Sequence, residues 1–158
     1  MKNLITICIA VIGLQLAAYS QSPLDPGQIQ ANFGIGIDDQ SGLPIYGGLD
    51  FGIADDWTAG AVLSFASSDY VSLGANINYH FDDLLGLPPE WNVYGGANAG
   101  ILFEDDDIDD SGNGNNQFGI GIQAGGRYFF NDRWGINLQV GTGKEVSDGR
   151  LGLTVVIN

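Results

Sequence analysis

Apolar and polar positions alternate almost without a break from residue 28 to residue 157, with short clusters of Gly, Pro, Asn, Asp and Ser between the runs. A period of two is the mark of β-strands with chemically different faces. The alternation predicts eight strands, at 28–37, 44–53, 57–66, 70–81, 91–103, 118–130, 133–140 and 150–157. Successive strands are close in sequence, so antiparallel neighbours give the economical topology. No segment has helical periodicity; "DDLLGLPPEW" has room for one short turn.

One parity collects Ile29, Phe33, Ile35, Leu49, Phe51, Leu63, Leu73, Ile77, Ile120, Ile122, Leu138, Leu151 and Leu153. The other collects Gln30, Asn32, Asp50, Ser64, Ser72, Asn76, Asn78, His80, Asn98, Gln123, Arg127, Asn137, Gln139, Arg150 and Thr154, interspersed with glycine. A soluble sandwich would turn its polar face to water and populate it with Lys, Glu and Thr. Here that face is mostly amide, hydroxyl and glycine, which suits a narrow hydrogen-bonded interior. The pattern therefore predicts a barrel that is apolar outside, toward lipid, and polar within.

The tryptophans agree. Trp57, Trp91 and Trp134 are the three in the chain, and each opens a strand directly after a turn: "IADDWTAG", "LPPEWNVY", "FNDRWGIN". In an up-and-down barrel the third, fifth and seventh strands start at one end, so these rings form a belt at a membrane–water boundary. Tyr79, Phe81, Tyr128 and Phe130 reach the same level, and Phe65, Tyr70, Phe103 and Phe118 form a second cluster at the opposite strand ends.

The patterns "NYHFDD" and "RYFFNDRWGINLQVG" around the turns, with the amphipathic final segment "RLGLTVVIN", resemble the small eight-stranded outer-membrane barrels, the OmpX-like and OmpA-like family. The likeness spans residues 21–158. It implies an all-β, antiparallel, up-and-down transmembrane barrel in the outer membrane, with both termini on the periplasmic side. By the same likeness its partners are outer-membrane lipid and the barrel-assembly machinery, and it is a monomer. The family usually ends on an aromatic residue, whereas this chain ends Ile157-Asn158.

Composition narrows this further. Residues 1–20 read as a signal peptide: Lys2, an apolar run from Leu4 to Ala18, then Ala18-Tyr19-Ser20. The lone cysteine, Cys8, falls inside it, so a disulfide is not expected. The net charge of −14, with five basic residues against nineteen acidic ones, argues against a nucleic-acid partner, because phosphate recognition needs clustered Lys and Arg.

Four features carry candidate chemistry. Asp50 and Arg127 lie near the same end of the second and sixth strands, which face each other across an eight-strand ring, so a lumenal pair is expected, with Arg150 as a higher basic neighbour. His80, the single histidine, is expected at the rim near Asp55 and Asp56; pairing strands three and four sets Ser64 opposite Ser72, which leaves no serine nucleophile beside it. The segment "EDDDIDDSGNGNNQ" places six acids between Glu104 and Asp110. It reads first as a solvated loop and second as a weak calcium site through Asp107, Asp109 and Ser111, without the bidentate Glu of an EF-hand. "GIGIQA" and "GTGKE" fail as nucleotide loops, because the first alternates like a strand and the second lacks both the earlier glycine and the Ser or Thr after Lys144.

The expected function is non-enzymatic: a structural or adhesive scaffold displaying acidic external loops, with no cofactor beyond weakly held calcium. A narrow conduit or binding site for a small hydrophobic or ionic ligand is the alternative, and a secreted soluble ligand-binding barrel the third reading.

Overall fold

The structure is a computed structural model that describes residues 24–37, 43–66, 70–104, 116–143 and 149–157. The signal peptide assigned to residues 1–20, and Asp107, Asp109 and Ser111 of the acidic segment, lie outside the described residues.

Eight strands close into one antiparallel barrel in sequence order: β1 (Ile29–Ile37), β2 (Ile45–Ala54), β3 (Trp57–Ala66), β4 (Tyr70–His80), β5 (Trp91–Glu104), β6 (Gln117–Phe129), β7 (Trp134–Gly141) and β8 (Gly149–Val156). Pairing of β1 with β8, from Gln30↔Val156 to Ile37↔Gly149, removes both sheet edges. A helical turn, α1 (Asp82–Leu85), sits between β4 and β5 and ends at Gly86, whose φ of 60° suits a residue without a Cβ.

Why the chain closes this way is visible in the turns. Asp55 and Asp56 form the tight β2–β3 connection, with Asp56 at φ 60°, a region that Asp tolerates better than bulkier residues. Asn131 Oδ1 accepts from the backbone N–H groups of Arg133 (3.0 Å) and Trp134 (2.9 Å), an Asx-type turn that starts β7.

Burial is inverted relative to a soluble protein. Among the described residues fifteen polar or charged side chains are buried and only seven hydrophobic ones, so the interior is polar by majority. Ile120 is 74% exposed, Ile122 70% and Leu138 58%, and each stands on an outward parity position of its strand. A surface of this kind is stable where lipid, not water, covers it.

The three tryptophans begin β3, β5 and β7 as expected, and all are exposed. Trp57 pairs across the ladder with Tyr79, centroids 5.2 Å apart, and Trp91 with Tyr128, 4.9 Å apart. Phe33 meets Trp134 edge-to-face at 6.3 Å. At the other end Phe65 and Phe103 share a row, both opposite Val71.

Candidate functional site

The interior of an eight-stranded barrel is just wide enough for side chains to fill it. Here the inward residues build three connected polar layers above an apolar plug.

At the turn end, the chain before β1 folds over the opening. Gly27 N–H donates to the Gly52 carbonyl (2.8 Å), Gly52 N–H donates to the Gln28 carbonyl (3.0 Å), and Leu24 packs with Phe129 and Val156. Position 52 must be glycine here, since a Cβ would overlap the Asp25 carbonyl oxygen.

Above this apolar layer lies His80. Asn92 Nδ2 donates to both His80 Nδ1 and Asp82 Oδ2, each at 2.6 Å, while Asp82 Oδ1 accepts from the Val93 N–H at 2.6 Å. Because Nδ1 accepts, the neutral ring carries its proton on Nε2, which faces Thr58 Oγ1 at 3.0 Å. The expectation of a rim histidine is corrected: the ring is 1% exposed, because the parity of β4 turns position 80 into the lumen. Asp56 contacts His80 through backbone, its carbonyl accepting from the His80 N–H (2.8 Å), and the acid tied to the ring through Asn92 is Asp82. Thr58, His80, Asn92 and Asp82 look superficially like a nucleophile–base relay. Yet Nε2 donates toward Thr58 and cannot take its proton, and Thr58 is 0% exposed, so no substrate reaches it. Ser64 does face Ser72 across the β3–β4 ladder.

The middle layer is ionic. Arg127 Nη2 lies 2.6 Å from Asp50 Oδ2, and both side chains are buried. The guanidinium also donates from Nη1 to Asn92 Oδ1 (3.1 Å) and lies over the Tyr94 ring with Cζ 4.4 Å from the centroid. Asn32 Nδ2 donates to the same Asp50 oxygen at 2.8 Å. Asp50 thus has both a cation and an amide donor, which is what a buried carboxylate needs.

The third layer crosses the barrel again. Tyr46 donates to Asn137 Oδ1 (2.7 Å), Tyr94 to Gln139 Oε1 (2.9 Å) and Gln123 Nε2 to Asn78 Oδ1 (2.6 Å). Arg150 stacks on Tyr46, 5.1 Å from its centroid, and donates from Nη2 to Ser64 Oγ (3.2 Å). Arg150, Arg127 and Asp50 line one residual cavity of about 20 Å³. That is space for roughly one water molecule.

Sequence reasoning named Asp50, Arg127 and Arg150, and the structure brings them to one cavity. It passed over Tyr46, Thr58, Asn92 and Tyr94. Their signal was parity: Tyr46 is in phase with Asp50 and Tyr94 with Asn92. Glycine accommodates the Tyr94 ring, as a Cβ at Gly125 would overlap it.

No protein-family model matches the chain, and no curated protein matches it by sequence. Solved structures do match in shape. The N-terminal β-barrel domain of Pseudomonas aeruginosa OprF aligns with a TM-score of 0.67 at 14% identity, over 85% of this chain and 100% of that domain. The fold is that of a small outer-membrane β-barrel. A de novo designed transmembrane β-barrel gives 0.63 at 12% identity, over 85% of this chain and 98% of the design, and Neisserial surface protein A gives 0.51 at 17%, over 82% and 95%. At these identities the agreement concerns architecture. The outer-membrane type of barrel and the apolar outer wall described above are thus two independent routes to one placement, a chain that spans a membrane by strands.

Proposed function

We propose that this barrel is a non-enzymatic, monomeric scaffold of the outer membrane whose role is to display its acidic connections outside the cell. The observation that supports this reading is the filled lumen. Side chains from opposite walls bond to one another in successive layers, and the cavity that Asp50, Arg127 and Arg150 line, about 20 Å³, has space for roughly one water molecule. A molecule whose interior is committed to holding itself together acts through its rims. The segment from Glu104 to Asp110, with six acids, is the densest run of acids in the sequence and the contact surface we assign, whether for a cationic partner or for weakly held calcium at Asp107, Asp109 and Ser111.

Deleting residues 105–115 tests the proposal. Cells carrying the shortened protein keep a heat-modifiable barrel in the outer-membrane fraction and lose surface binding of a cationic or calcium-bridged partner; unchanged binding sinks it. Calorimetric titration that shows no uptake of millimolar calcium removes the calcium variant alone.

The second reading, a narrow conduit, draws on the polar lining that runs from His80 to Arg150. Planar-bilayer recording decides between them, since persistent conductance supports the conduit and its absence the scaffold.

A further inference from the structure

Among the described residues the buried apolar side chains cluster at one place, the turn-end mouth of the lumen, where Leu24 meets Phe129 and Val156. The sequence "LDPGQ" puts Leu24 there. Pro26 and Gly27 are the central residues of a type II turn: Gly27 takes φ 92°, and the Gln28 N–H donates to the Asp25 carbonyl at 2.9 Å. The Gln28 side chain fastens the same turn, its Oε1 accepting from the Asp25 N–H at 2.8 Å. This reversal leads the chain back toward the barrel. Leu24 is 3% exposed, while Asp25, Pro26 and Gly27 stay exposed.

Its partners place Leu24 inside the ring. Phe129 is in phase with the inward Arg127 on β6, and Val156 with the inward Thr154 on β8. The segment is anchored on another wall, at Gly52 of β2, which is in phase with Asp50. The Gly27 N–H donates to the Gly52 carbonyl, and a Cβ at 52 would overlap the Asp25 carbonyl oxygen. Residues 24–28 thus cross the opening from β2 toward β6 and β8. Just behind them lie the driest side chains of the interior: Gln30, Thr58, His80, Asn92 and Thr154, each at most 1% exposed. The β1–β2 ladder begins at Ile29↔Phe51, so the segment can leave the mouth without unpairing a strand.

We propose that residues 24–28 are a lid on the lumen, with Leu24 as an apolar stopper that keeps water and dissolved ions at the turn end from the His80 layer. An apolar constriction in a polar passage sheds its water and so blocks it. Glycine at 52 is then a requirement of the closed lid rather than of its strand, and Pro26-Gly27 sets the reversal that seats the stopper. The inference stands on the closed barrel alone and is independent of any partner at the acidic segment.

The full chain carrying Cys8→Ser and Thr58→Cys, folded in a non-ionic detergent, is reacted with a small charged methanethiosulfonate, and the modified fraction is followed by mass spectrometry. Thr58 is opposite Gly52 in the β2–β3 ladder, directly behind the lid. With the native lid this thiol reacts slowly. Leu24→Asp and Gly52→Ala each speed it about tenfold or more, since the rate at a buried group follows the population of the open form. Leu24→Met keeps an apolar stopper and the slow rate. A second probe, Ser72→Cys, buried near the opposite strand ends, reacts at the same rate whichever lid is present. Unchanged Thr58→Cys rates in both Leu24→Asp and Gly52→Ala overturn the lid. So does equal acceleration at Ser72→Cys, which reports a loosened barrel. Heat-modifiable migration selects folded protein, and Leu24→Asp carries the test by itself where Gly52→Ala does not fold.

Discussion

Arg127 on β6 reaches across the lumen to Asp50 on β2, Nη2 to Oδ2 at 2.6 Å, with the Tyr94 ring beneath the same guanidinium. The pair ties opposite walls, so its loss is felt by strands that are not ladder neighbours. Asp50→Ala leaves a buried cation without its counter-charge and is expected to cost about 3–5 kcal/mol. The double variant Asp50→Ala, Arg127→Met removes both charges and loses less than the single one. Urea unfolding in lipid vesicles measures this; an unchanged midpoint for Asp50→Ala removes the structural role assigned to the pair.

Asn92 satisfies more buried groups than any single contact suggests: His80 and Asp82 through its Nδ2, and Arg127 through its Oδ1. Asn92→Leu strands polar atoms in two layers, at about 1–3 kcal/mol for each group left unsatisfied. Thr58→Val strands only the His80 Nε2 proton and costs less. The reverse ranking in the same unfolding assay counts against the hydrogen-bond assignment around His80.

The outer wall makes a prediction that separates a membrane barrel from a soluble one. Leu49 lies midway along β2 and Ile53 near its turn end, both outward. In lipid, Leu49→Arg is expected to destabilise by about 2–4 kcal/mol and Ile53→Arg by about 0–1 kcal/mol. On a water-facing wall both would be harmless, and equal, negligible effects would remove lipid from that face.

The belt is a statement about depth. Single-tryptophan proteins retaining Trp57, Trp91 or Trp134 should each be quenched most strongly by lipids brominated near the headgroup, and to a similar degree, because all three open strands at one end. Strongest quenching by bromine at the chain termini would place these residues mid-membrane and break the assigned height.

Much of this was legible along the chain because β-structure in a membrane has a period of two and two unlike solvents. Observed strands Trp57–Ala66 and Tyr70–His80 depart from the expected 57–66 and 70–81 by no more than a residue. The Asp50–Arg127 approach followed from two simple facts, that strands two and six oppose each other in an eight-strand ring and that both residues lie near the same strand end. His80 had the inward parity along the chain, yet pairing of strands three and four set it at the rim near Asp55 and Asp56; only the closed fold shows it buried against Thr58 and Asn92.

The sequence by itself determined which residues face lipid, which face inward, and where the chain turns, because each of these depends on neighbours along one strand or one hairpin. Only the closed structure decided which inward groups meet: Tyr46 with Asn137, Arg150 with Ser64, Tyr94 beneath Arg127. Those contacts join strands far apart in the chain, and their heights depend on the stagger accumulated around the ring when β1 pairs with β8.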